Sequence, residues 1–103
     1  KALWDTGATS TSISQRVIYE QDLQDEGESR ILNSANGLYQ SPVYRVCLEL
    51  PNNIVITDVL AHRTNNSYWD IVLGMDVILT GNSSIQLRGD GSVLFQFEHK
   101  TEL

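Results

Sequence analysis

The sequence predicts a mostly-β domain with one or two short helices, and three observations carry that prediction. In residues 44–50, Tyr44, Val46, Leu48 and Leu50 share one face and Arg45, Cys47 and Glu49 the other. That is the period of a strand buried on one side. Turn chemistry then punctuates the chain at Asn36-Gly37, Pro51-Asn52-Asn53 and Arg88-Gly89-Asp90-Gly91. Asn-Gly is a strong hairpin signal, because a type I′ turn needs positive φ at both central residues. Finally, the chain has 103 residues, 41% hydrophobic and 19% charged. That suits one compact core and no second one.

Each element follows in order. Residues 1–5 bring the end of an apolar strand into a polar turn at 6–10. Ser12 and Gln15 stand three apart, as in a capping box, so a short helix is expected over 16–23. Residues 22–29 form a connection containing Gly27, in which Asp22, Asp25, Glu26 and Glu28 make a solvated loop. A strand at 30–32, a polar tip at 33–37 and a long strand from Leu38 to Leu50 make a hairpin. Residues 54–61 return as the next strand. A short apolar strand at 70–73 leads through Gly74 into a helix ending near 79, with Asp76 in its first turn, where negative charge suits the helix dipole. Strands at 85–87 and 93–97 close the chain. Arg88-Gly89-Asp90 between them is turn chemistry rather than an adhesion signal. Val93, Phe95 and Phe97 alternate with Leu94, Gln96 and Glu98, giving the last strand an apolar face to bury in its own lobe.

Charge and cysteine usage limit the partners. Seven Lys+Arg against 13 Asp+Glu give a net charge of −6, which repels phosphate backbones, and the basic residues are scattered. No nucleic-acid partner is expected. No apolar run approaches the roughly 20 residues of a membrane span, and the first residues do not resemble a leader peptide. No membrane partner is expected either. Cys47 is the single cysteine, which excludes an internal disulfide and a Cys-based zinc site, and it is expected to be a small buried hydrophobe. His62 and His99 lack ligand spacing. Neither a metal nor a cofactor is expected. Asn65-Asn66-Ser67 and Asn82-Ser83-Ser84 match the glycosylation pattern, but loop polarity explains them.

The chemistry concentrates in Ala2-Leu3-Trp4-Asp5-Thr6-Gly7-Ala8-Thr9. The strand carries Asp5 to the edge of the core. Gly7 permits a sharp turn and lets a backbone N–H approach the carboxylate. Thr6, Thr9, Ser10, Thr11 and Ser12 offer hydroxyls for a tight loop. A chance Asp-Thr-Gly arises in on the order of a few per cent of chains this long. An Asp at an ordinary strand–turn junction is therefore the plain alternative.

A second segment shifts the balance. Trp69-Asp70-Ile71-Val72-Leu73-Gly74-Met75-Asp76-Val77-Ile78 is an apolar strand running into Gly and then an apolar helix. Together the two segments resemble the retropepsin-like aspartic proteases, the single-lobe, retroviral-type family. That family has an apolar-apolar-Asp-Thr/Ser-Gly-Ala loop, then a glycine-bearing flap hairpin, then an apolar-apolar-Gly strand leading into a helix. The flap candidate here spans residues 30–44. The resemblance covers most of the chain in the right order. It implies a closed, barrel-like single-lobe acid protease fold, with residues 1–103 as one protease domain. Met75 stands where retroviral enzymes commonly carry Arg, and the chain continues well past 87. Few residues precede Asp5, so the domain is expected to lack its N-terminal strand. These departures resemble bacterial or cellular members more than retroviral enzymes.

The resemblance also implies roles. Asp5 would be the catalytic carboxylate of an aspartic endopeptidase. With one Asp-Thr-Gly per chain, a homodimer would supply the second Asp5, through a small and therefore weak two-fold contact. Thr6 would hydrogen-bond across the two-fold axis, and Gly7 would present its N–H to the carboxylate. Ala8 would lie along the backbone of a peptide or protein substrate. Asn33, Ser34, Ala35, Asn36, Gly37 and Leu38 would form the flap and pair with an extended peptide. The alternative is a catalytically inactive peptide-binding or dimerisation module with the same fold.

Overall fold

In the computed structural model of the protein, which describes residues 1–34, 37–64 and 68–100, strands dominate. The elements are β1 (Ala2–Trp4), β2 (Ser12–Ile13), α1 (Gln15–Glu20), β3 (Asp25–Ser34), β4 (Gly37–Leu50) and β5 (Ile54–Arg63). They continue with β6 (Ile71–Leu73), α2 (Met75–Ile78), β7 (Gly81–Leu87) and β8 (Val93–His99). A six-stranded sheet has the order β1-β6-β2-β5-β4-β3 and curls into a half-barrel, while β7 and β8 form a separate ribbon. β1 runs parallel to β6 and β2 parallel to β5, and the remaining pairs are antiparallel. This is the mostly-β, single-lobe fold the sequence predicts.

The alternation in β4 sets the core. Tyr44, Val46 and Leu48 point inward to meet Ile56, Val59 and Ala61 of β5, with Ile13, Leu73 and Val77 completing the cluster. On the outer face Arg45 reaches Glu26 at 2.9 Å and Asp58 at 3.4 Å. Cys47 is exposed rather than buried. It shares that outer face with Arg45 and Glu49, and strand geometry outweighs the usual preference of the thiol.

Several boundaries differ from expectation. The helix is capped by Ser14, whose hydroxyl accepts from the Val17 N–H at 3.2 Å, and it ends at Glu20. Ser12 is not the cap. It lies in β2, wedged between β5 and β6 opposite His62 and Val72. A two-residue strand is too short to show a period, which is why it looks like loop. The expected acidic connection is partly strand, because β3 begins at Asp25, with a register irregularity between Asp25 and Ser29. As the sheet's edge strand it can carry charge without burying it. The hairpin end is shorter than the expected tip at 33–37. Ser34 pairs with Gly37, whose φ is +104°, while Ala35 and Asn36 lie outside the described residues. So does Asn65-Asn66-Ser67.

The terminal ribbon forms as a hairpin closed by residues 88–91, with Ser83 opposite Phe97, Ile85 opposite Phe95 and Leu87 opposite Val93. Trp4 meets the rings of Phe95 and Phe97 edge-on, both at 5.0 Å between centroids. Phe97 packs against the core. Ile85, Leu87, Val93 and Phe95 remain exposed. The last strand therefore completes its own lobe only at its Phe97 end.

Candidate active site

β6 fixes the backbone of Asp5. Leu3 pairs with Val72 and Trp4 with Leu73, and the ladder extends one bond further, from the Asp5 N–H to the Leu73 carbonyl at 2.9 Å. Trp4 turns toward the β8 aromatics, so alternation turns Asp5 the other way. The loop then closes on itself, with the Ala8 N–H donating to the Asp5 carbonyl at 3.2 Å. The Gly7 N–H donates to Asp5 Oδ1 at 2.8 Å. A Cβ on Gly7 would stand only 3.2 Å from that oxygen, so a side chain would crowd the bond. Asp5 is half-buried, with Thr6 and Gly7 exposed beside it. Its other carboxylate oxygen has no hydrogen-bond partner among the described residues.

The loop is braced from behind by the start of α2. The Met75 N–H donates to the Ala8 carbonyl at 2.8 Å and the Asp76 N–H to the Thr9 carbonyl at 3.3 Å. Thr11, fully buried, donates its hydroxyl to Asp76 Oδ1 at 2.7 Å and its N–H to Asp76 Oδ2 at 3.0 Å. The same hydroxyl accepts from the Gly74 N–H at 3.1 Å. Such contact requires glycine at 74, because a Cβ there would fall 2.6 Å from the Ser10 carbonyl carbon. Asp76 also accepts from the Val77 N–H at 2.8 Å. The expected helix-start role is thus present, and bracing the loop is added to it.

His62 sits on the third side. It is buried, its Nδ1 lies 3.3 Å from the Ser10 hydroxyl, and its ring stands edge-on to Tyr39 of β4 at 6.5 Å. Burial holds the imidazole below its ordinary range. Arg30 adds to that effect and Asp76 opposes it. Burial also pushes the Tyr39 hydroxyl up, with Arg63 opposing.

The structure therefore gathers Asp5, Thr6, Gly7 and Ala8 in one braced loop. Asn33, Gly37 and Leu38 stand at the end of the β3–β4 hairpin, with Asn33 opposite Leu38 and both exposed. The hairpin and the loop meet lower down, through Tyr39, His62 and Ser10. The sequence offers Ser10 and Thr11 only as hydroxyls for a tight loop, and it does not mark His62 as a site residue. The signal for Thr11 was a hydroxyl-rich run ending at an apolar strand. His62 gave none. Among the described residues, no three His, Cys, Asp or Glu side chains gather as a metal site.

Comparison with known proteins gives one family. The model described as gag-polyprotein putative aspartyl protease matches residues 1–80, a span holding the Asp5 loop, the β3–β4 hairpin and α2. No curated protein and no solved structure matches the chain. With most of its length matched, from the Asp-Thr-Gly loop through the helix that braces it, the chain belongs to the gag-polyprotein aspartyl protease family.

Proposed function

We propose that the protein is an aspartic endopeptidase in which Asp5 and the Asp5 of a second copy activate a water for peptide-bond hydrolysis. The observation that carries the reading is the state of the Asp5 carboxylate. One oxygen is held by the Gly7 N–H, and the other is uncommitted beside exposed Thr6 and Gly7. Two carboxylates brought together cannot both ionise cheaply, so one keeps a proton. The ionised member takes a proton from the water, which attacks the scissile carbonyl. The protonated member donates toward the carbonyl oxygen. In this reading Thr6 would hydrogen-bond across the two-fold axis, and Ala8 would run along the substrate backbone. The hairpin end from Asn33 to Leu38 would cover the peptide, which binds extended and makes strand-like hydrogen bonds.

The test is cleavage of a mixed peptide library by the wild type and by Asp5→Asn. The amide is nearly isosteric but cannot exchange the proton, so hydrolysis should fall by roughly 10²–10⁴-fold with the fold intact. The wild-type rate should trace a bell with its maximum at mildly acidic pH, as a shared-proton pair requires. Wild-type turnover by Asp5→Asn would remove Asp5 from the chemistry. The second reading, a non-catalytic peptide-binding module, draws on the single Asp5 in each chain: a monomer could bind a peptide but not hydrolyse it. Peptide binding without cleavage at any protein concentration would favour it.

A further inference from the structure

The two faces of the β3–β4 hairpin differ sharply. Ile31 pairs with Gln40 and Asn33 with Leu38, and these four side chains are exposed. Arg30 pairs with Ser41 and Leu32 with Tyr39 on the opposite face, where all four are buried or half-buried. The same face continues through Val43, which pairs with His62 of β5. His62 in turn touches Ser10 of the Asp5 loop. The inner face of the hairpin thus runs from Arg30 to the loop that carries Asp5.

Arg30 is the anomaly on that face. It is half-buried, and among the described residues it has no carboxylate partner. Glu28, two residues earlier on β3, makes no ion pair with it. Arg16 pairs with Asp70 and Glu20, and Arg45 with Glu26 and Asp58. Arg63 and Arg88 reach no carboxylate among the described residues either, but both are exposed where Arg30 is half-buried. The chain has 13 acidic residues for seven Lys+Arg, so carboxylates are in excess and one is still not spent here. A half-buried arginine without an anion leaves its charge unpaired, and Arg is suited to bidentate carboxylate recognition. His62 is held toward its neutral form by burial and by Arg30 itself, so Arg30 stands close enough to His62, which touches Ser10 of the Asp5 loop, for its charge to be felt there.

We propose that Arg30 selects peptides bearing an acidic side chain, with the guanidinium pairing a Glu or Asp carboxylate of the segment that lies between the hairpin and the Asp5 loop. This rests on the reading of the hairpin and the Asp5 loop as a peptide-binding site. Beside Ser41 and His62 the inner face is apolar or aromatic, through Leu32, Tyr39 and Val43, so one charge pair set in a largely uncharged wall would give the selectivity its direction.

The experiment uses blocked octapeptides identical except for Glu, Gln or Lys at one position, moved stepwise along the sequence. The wild type should cleave the best Glu peptide with kcat/KM about tenfold above its Gln twin, equivalent to about 1.4 kcal/mol. Arg30→Gln should bring that ratio near one, and Arg30→Glu should favour the Lys peptide. A reversal of charge preference is something loss of structure cannot produce. Equal cleavage of Glu and Gln peptides at every position by an active wild type would overturn the proposal. So would an unchanged Glu preference in Arg30→Glu. If Arg30→Glu altered self-association and left the Glu/Gln ratio alone, the anion would come from the second copy and the proposal would fall. If no peptide is cleaved, titration calorimetry with the same peptides decides. Tighter binding of a Glu peptide, lost in Arg30→Gln, sustains the inference while the endopeptidase reading fails. Equal binding of Glu and Gln peptides ends it.

Discussion

The Thr11 hydroxyl donates to Asp76 Oδ1 at 2.7 Å while the Thr11 N–H donates to Asp76 Oδ2 at 3.0 Å, so one residue occupies both oxygens of the other. The pair joins β2's approach to the first turn of α2, and the Asp5 loop is closed between them. Thr11 is fully buried and Asp76 is exposed, so removing Asp76 leaves the Thr11 hydroxyl without water to replace it, while removing the hydroxyl strands the buried Gly74 N–H. Thr11→Val should lower stability by about 1–3 kcal/mol, with Asp76→Ala at least as damaging, since it also frees the Val77 N–H. Urea titration of both variants and the double mutant measures the pair. A double mutant whose loss equals the sum of the singles would show that the two side chains are not coupled.

Gly74→Ala tests the close approach from the other side. The added Cβ would meet Ser10 backbone atoms at 2.6–2.9 Å, and backbone cannot swing aside as a side-chain tip can. Separation of the loop from α2 should reduce stability by about 1–3 kcal/mol. It should also disorder the bonds from Met75 to Ala8 and Asp76 to Thr9. Hydrogen exchange at Met75 and Asp76 reads this directly. Unchanged protection at both amides would mean the loop tolerates the methyl.

How far the sequence disclosed this arrangement depends on how each residue acts. Asp5, Thr6, Gly7 and Ala8 were legible because their roles are local, set by a strand end and a turn within a few positions. The β4 face was legible because burial on one side imposes a period of two. Ser12 was misread as a cap, since its partners His62 and Val72 are remote in sequence and β2 is two residues long. His62 and Arg30 were silent for the same reason. Their neighbours on the inner face come from β4, β5 and the Asp5 loop, and only the register brings those together. The exposed ribbon shows the converse limit. An apolar stripe over Val93, Phe95 and Phe97 predicts that a face wants covering, and says nothing about how much of it the chain itself covers.

His62 should make stability depend on pH. Its folded pKa lies below the ordinary 6.5, because burial and Arg30 outweigh the attraction of Asp76. Between the folded value and 6.5 the unfolded chain binds more protons than the folded one, so stability rises with pH through that window. Above 6.5 the contribution is complete, and it is lost as pH falls toward the folded value. Melting temperatures of the wild type and His62→Gln across pH 5 to 8 should converge at low pH relative to their separation above 6.5. Parallel curves over the whole range would remove His62 as the source.

Concentration dependence follows if, as proposed, the site needs two copies of Asp5. Each chain presents one such loop, with Thr6 and Gly7 exposed, and a contact confined to two such loops would be expected to fall short of the roughly 1,000 Å² typical of a stable interface. The second copy should therefore associate weakly, and the active fraction should follow mass action. Specific activity per chain should rise with protein concentration and level off as dimer forms. Sedimentation velocity over the same range should show the monomer converting in step. Mixing wild type with excess Asp5→Asn should lower activity further, because mixed dimers carry a single working carboxylate. Activity per chain that stays constant while sedimentation finds only monomer would show that one Asp5 suffices, and the paired-carboxylate mechanism would have to be abandoned.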